Sequence, residues 1–203
     1  MKKPSVFHRL LIITLLLCCC FLCNSCITLS FTKEPVTLSR YIVGQGQLNA
    51  RQLTKFFKKR NPKAKRQQIL QFAQYYIEEA EAEGINSDVA WAQMCLETGY
   101  LRFGGLVQSD FHNYCGLGAM DQEHPGEKFE TEQLGVRAHI QHLQAYATTE
   151  DIELNNELVD PRYNWVHKTK YIETIFELAG TWATDPLYGQ KIDSILCGME
   201  AMK

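Results

Sequence analysis

The chain has 203 residues, 45% of them hydrophobic, with 21 Lys and Arg against 23 Asp and Glu and a net charge of -2. That length supports one domain with a sizeable core and hardly two. A balance without basic excess argues against nucleic acid as a partner.

Residues 1–25 read as a secretory signal. Lys2, Lys3 and Arg9 form a basic n-region, and Leu10 to Leu17 with the following cysteines and Phe21 form an apolar run. Ser25-Cys26 is a cleavage site before a cysteine that then carries lipid, in the manner of a bacterial lipoprotein. Leu22 lies one place further upstream than that pattern usually has it. The competing reading is an uncleaved anchor, since the run almost reaches the roughly 20 residues a span needs. Both readings place the rest outside the cytoplasm, in the cell envelope, attached to a membrane. Removing the segment takes away three basic and no acidic residues, leaving a charge of about -5. Four of the eight cysteines, Cys18, Cys19, Cys20 and Cys23, leave with it. Cys95, Cys115 and Cys197 remain besides Cys26; they read as small buried hydrophobes, with a Cys95–Cys115 bridge open in an oxidising compartment.

Residues 26–48 lack a period and contain Pro35, Gly44 and Gly46, so they read as a tether. The domain is expected over 49–203. Asn49 caps a helix to about Arg60 that buries Leu53, Phe56 and Phe57 and stops before Pro62. Lys55, Lys58, Lys59, Arg60, Lys63, Lys65 and Arg66 form a basic cluster, either a solvated face or a surface for an anionic polymer. The spacing of Ile69, Phe72, Ala73, Tyr76, Ile77 and Ala80 predicts a helix from Arg66 to Glu83, ended by Gly84.

The next helix begins near Ser87, with Asn86 or Ser87 as cap and Asp88 at its positive end. Val89, Ala92 and Leu96 recur at helical spacing, and Gly99 closes it. Glu97 therefore stands in the last turn, where the helix dipole disfavours an anion. Apolar neighbours there raise a carboxyl pKa, which suits a general acid.

Residues 100–130 are rich in glycine and turn formers and predict a loop with a short hairpin, Lys128-Phe129-Glu130 serving as edge strand. A helix over Glu132–Ala147 follows, then an irregular connection over 148–169. A helix from about Tyr171 carries Ile172, Ile175, Phe176, Ala179 and Trp182. Asp185 caps a last helix with Pro186 in its first position. The expected class is mainly α (α+β).

Four segments occur in order: Glu97-Thr98-Gly99, His112-Asn113-Tyr114-Cys115-Gly116-Leu117-Gly118-Ala119, Asp160-Pro161-Arg162-Tyr163, and Trp182-Ala183-Thr184-Asp185-Pro186-Leu187-Tyr188. The set resembles the bacterial glucosaminidase family of peptidoglycan hydrolases, which includes flagellar enzymes and many autolysins. The similarity spans about residues 66–201. It implies a lysozyme-like helical domain with a small β hairpin after the catalytic helix. It implies hydrolysis of the β-1,4 bond after N-acetylglucosamine in a peptidoglycan strand, by a monomer without cofactor.

By that resemblance Glu97 is the catalytic acid, and Asn113 and Tyr114 line the groove together with Tyr188. Tyr163, which follows a Pro-containing turn, joins them as a sugar-binding aromatic. Thr98 and Cys115 replace the family's serine and phenylalanine. Many members carry a second carboxylate in the hairpin. Asp121, Glu123, Glu127 and Glu130 are available here, and Glu123 is chosen because it lies at the turn.

The mechanism forks on that group. An inverting enzyme holds its carboxyls roughly 6.5–9.5 Å apart and a retaining one about 5–5.5 Å. In a third route the substrate's 2-acetamido oxygen attacks, and Glu97 suffices. A lytic transglycosylase and a catalytically silent wall-binding module compete with the hydrolase. His139 and His142 sit three apart on a helix, but nothing completes a metal site.

Overall fold

The computed structural model describes residues 37–149, 152–169 and 171–202. The expected signal, Cys26 and the first part of the tether lie outside the described residues. Among the described residues six α-helices form the domain: α1 (Ala50–Arg60), α2 (Arg66–Ala82), α3 (Ser87–Glu97), α4 (Glu132–Ala147), α5 (Tyr163–Thr169) and α6 (Tyr188–Glu200). Two 3-10 turns, Ser109–Phe111 and Ile175–Leu178, complete it. The architecture is mainly helical, as a lysozyme-like domain requires.

Helix α3 runs through the middle, packed against α2, α4 and α6. Every residue from Ser87 to Cys95 is buried, so the apolar stripe expected on one face is a burial on all faces. Trp91 anchors it, with its ring 5.8 Å from Phe57, 5.8 Å from Phe72 and 5.5 Å from Tyr76. Each such aromatic contributes about 2–3 kcal/mol by leaving water. Asn86 is the cap: its side chain accepts from the N–H groups of Asp88 and Val89.

Residues 37–48 are not a free tether. Leu38, Ile42 and Leu48 are buried, and Tyr41 and Val43 bridge Thr174 and Ile85. Arg40 pairs with Asp193 and Glu200 of α6, both at 2.6 Å. Asp88 accepts from the backbone N–H of Gln47 at 2.7 Å, so its charge fastens this strand as well as facing the helix dipole. The buried residues of this stretch, Leu38, Ile42 and Leu48, are too few and too widely spaced to stand out against its glycines.

The helix expected from Tyr171 is absent. Ile172 N–H donates to Tyr146 O and Ile175 N–H to Arg40 O, so these donors serve the neighbouring chain instead of a helix ladder. The helical turn falls earlier, at α5, inside the stretch read as irregular. Helix α6 starts at Tyr188, after a turn in which Asp185 accepts from Leu187 N–H. The expected hairpin is reduced to one antiparallel bridge between Ala119 and Pro125. Phe129 N–H donates to Phe111 O, which gives the would-be edge strand a loop partner. Cys95, Cys115 and Cys197 are free thiols, the first two buried.

Candidate active site

Glu97 is the last residue of α3, and the chain leaves it through an unusual turn. Gly99, Tyr100, Leu101 and Phe103 all have positive φ, at 55°, 60°, 57° and 54°. For the three larger residues this is strained, and something must hold it. Thr98 does so: its hydroxyl donates to Met94 O at 2.8 Å and accepts from Leu101 N–H at 2.9 Å. Asn61 adds a bond to Tyr100 O at 2.9 Å, and the Tyr100 ring packs on Phe56 and Phe57. Thr98 thus performs the task that a serine in the family pattern can also perform.

The tight exit leaves Glu97 at the junction of two cavities. One, of about 480 Å³, runs under Cys115–Ala119 towards His142, Tyr146, Arg162 and Trp182. The other, of about 240 Å³, is walled by Phe103, Leu106, Val107 and Asn113. Both share Glu97, Gly116 and Ala119. This is the layout of a cleft that takes a strand on either side of one acid. A cavity of similar size between α1 and α2 is lined by Asn49, Arg51 and glutamines and holds no acid.

Glu97 is open to solvent through the cleft mouth, yet protein atoms surround most of its carboxyl. That enclosure pushes its pKa above the ordinary value. Hydrogen bonds from Tyr188 and from Trp182, whose indole N–H is its one donor, oppose the shift without cancelling it. Tyr188 donates to Oε1. A side chain at Gly116 would begin 4.0 Å from Oε2, so that oxygen faces the cleft floor.

The floor is shaped by Asn113. Its Oδ1 accepts from Leu117 N–H at 3.0 Å, and its Nδ2 donates to Leu117 O at 2.9 Å and Glu127 O at 3.1 Å. It lines the smaller cavity but acts chiefly as the loop's internal brace. Tyr114 turns away: it is buried against Phe72, with centroids 4.6 Å apart. Tyr163 is likewise buried, its hydroxyl donating to Gln144. Neither lines the cavities around Glu97. Glu123 sits in an exposed turn, where its N–H caps Asp121, and it too is not among the lining residues. Tyr188 is the one expected aromatic that reaches the acid.

The larger cavity holds groups to which the sequence reading gave no role at the acid. His142 Nδ1 lies 2.7 Å from Asp160, which is almost fully buried, leaving Nε2 as the nitrogen available to a ligand. The His142 ring packs edge-on against Trp182 at 4.9 Å. Arg162 lies over the exposed Trp165 ring, 5.6 Å from its centre. His139 and His142, considered together as metal ligands, are each taken up by other partners. Among the described residues no three His, Cys, Asp or Glu side chains are grouped to hold a metal.

A carboxyl with its pKa raised, standing where two cavities meet in a helical domain, has the features sought in a general acid. A family model described as mannosyl-glycoprotein endo-beta-N-acetylglucosaminidase matches residues 73–200. The chain belongs to this glucosaminidase family. It is also 39% identical over 156 residues to an uncharacterized protein of Borreliella burgdorferi strain B31, covering 77% of this chain and 75% of that protein. No solved structure matches the chain.

Proposed function

We propose that the protein is a peptidoglycan hydrolase that cleaves the β-1,4 bond after N-acetylglucosamine, with Glu97 as general acid. One observation carries this reading: Glu97 stands where two cavities meet, under a tyrosine that holds one of its oxygens. A strand laid along the cleft puts a glycosidic oxygen over Oε2, the oxygen that Tyr188 does not hold.

The chemistry follows from which groups are present. Glu97 gives the Oε2 proton to the glycosidic oxygen as the bond from the anomeric carbon breaks. Among the described residues Glu97 is the one carboxylate that lines the two cavities, and Glu123 stands apart in its turn. The 2-acetamido oxygen of the substrate therefore closes on the anomeric carbon, giving a cyclic oxazolinium. Water then attacks that carbon, the ring C–O bond breaks to return the acetamido group, and the water's proton passes to the Glu97 carboxylate, which restores the acid. Trp182, Trp165 and Tyr146 offer flat faces to sugar rings. The working form is a monomer held to a membrane through Cys26, in the cell envelope and facing its substrate.

Digestion of purified peptidoglycan followed by mass analysis of the new ends tests this. The reading requires reducing N-acetylglucosamine. Anhydro ends would instead identify a lytic transglycosylase, and sacculus binding without release a silent wall module.

A further inference from the structure

Behind Glu97 a single file of buried polar groups crosses the domain. Tyr188 Oη is 2.9 Å from Gln93 Nε2, Gln93 Oε1 is 3.0 Å from His139 Nε2, and His139 Nδ1 is 2.8 Å from Tyr76 Oη. Tyr76, Gln93 and His139 are wholly buried and Tyr188 nearly so. They come from α2, α3, α4 and α6, so four helices converge on one carboxyl. Groups buried this way are costly unless each finds its partner, and here each does.

Donor counting gives the file a direction. Tyr188 has one proton and spends it on Glu97 Oε1. Its oxygen must then accept, which turns the Gln93 NH₂ towards it. Gln93 Oε1 faces His139 and needs a proton from it, so the ring carries hydrogen on Nε2. Nδ1 is left as acceptor for Tyr76. Burial supports a neutral ring, with the His139 pKa pushed down to about 3. We infer that Tyr76, His139 and Gln93 are positioning residues: a one-way chain of donors that keeps Tyr188 aimed at Oε1 and so confines the acid's proton to Oε2, the oxygen facing the cleft. This rests on the reading of Glu97 as the acid.

The groups that face this file are few. Cys95 from α3 and Tyr114 and Cys115 from the loop face Tyr76 of α2, and His142 of α4 faces His139. Cys115 and Trp182 approach Glu97 from the loops and Tyr188 from α6, while Arg162 lines the same cavity. Losing the Gln93 donor frees the Tyr188 hydroxyl to rotate and accept from Glu97. The carboxylate then loses support and the proton can sit on Oε1.

Two measurements test the inference without substrate. In the wild-type protein, ¹⁵N NMR of His139 is expected to show the neutral Nε2–H tautomer from about pH 5 to 8. The Nδ1–H form would overturn the chain, whatever the fate of any variant. Carboxyl ¹³C NMR, assigned with Glu97→Gln, is expected to show the Glu97 pKa rising by about half a unit in Gln93→Leu, the size of a weakened hydrogen bond. With peptidoglycan, the same variant is expected to lose about tenfold in kcat at little change in KM, its alkaline limb moving up by the same half unit. An unmoved Glu97 pKa, or a loss of kcat with an unmoved pH profile, reduces Gln93 to packing and overturns the inference. Failure of wild-type protein to cut peptidoglycan would count against the hydrolase and leave the NMR results standing.

Discussion

Tyr188 hydrogen-bonds Glu97 across 91 positions of sequence, joining the first turn of α6 to the last turn of α3. The bond distinguishes the two carboxyl oxygens, since Tyr188 holds Oε1. It also opposes the rise that enclosure imposes on the Glu97 pKa.

Tyr188→Phe removes that bond and strands the Gln93 donor. The Glu97 pKa is expected to rise by about one unit, the worth of a charge-assisted hydrogen bond. The alkaline limb of the pH–rate profile then moves upward while its maximum falls about tenfold. A profile taken at 0.5-unit steps, on the order of RT in resolution, checks both together. An unchanged limb would mean the hydroxyl does not bear on the acid.

Glu97→Gln has a stability signature of its own. The folded protein binds the Glu97 proton more tightly than the unfolded chain does, because its folded pKa is raised. Stability is therefore full below the unfolded pKa and declines as pH rises through the folded one. Glutamine keeps the acceptor for Tyr188 and does not ionise. The variant should thus gain in Tm relative to wild type between acid and neutral pH, with the two closest at low pH. A gap that narrows with rising pH contradicts the raised pKa.

Thr98 holds the strained exit from α3. Thr98→Val leaves Leu101 N–H and its turn without a partner and should cost about 1–3 kcal/mol in chemical unfolding. Thr98→Ser keeps the hydroxyl and should cost under about 1 kcal/mol. Equal losses would place the effect in the lost methyl packing instead.

The cleft floor depends on a close approach at Gly135, inside α4. A Cβ there would lie 1.7 Å from His112 O, a contact with backbone that no side-chain motion relieves. Gly135→Ala should lower Tm by about 5 °C and weaken activity together, since it displaces the loop that carries Asn113 and Gly116. A neutral alanine variant would show that the loop can move away freely.

Much of this was visible in the chain and some was not. Helices α1, α2 and α4 follow from long apolar stripes, with Asn49 as the cap of the first; the Thr131 cap of α4 was not read. Glu97 stood out because an acid in a last turn opposes the dipole, and Gly99 marked the end. The stretch 171–182 misled because Ile172, Ile175 and Phe176 have helical spacing, while their backbone bonds run to Tyr146 and Arg40. Tyr114 and Tyr163 misled because a motif fixes order along the chain and not the side a ring faces. Gln93 was the missed signal: a glutamine amid Val89, Trp91 and Leu96 has to find polar company, and it finds His139 and Tyr188. Which partner it finds depends on contacts 46 and 95 positions away.

In the proposed mechanism Glu97 delivers a proton to the leaving group, and substrate chemistry isolates that step. Glu97→Gln should lose about 10²–10⁴-fold on peptidoglycan, whose leaving sugar needs a proton. On a dinitrophenyl glycoside of the same disaccharide, whose leaving group departs unprotonated, the cleavage step should fall far less. An equal loss on both substrates, or full activity of the glutamine variant on peptidoglycan, would contradict the assignment of Glu97 as the acid.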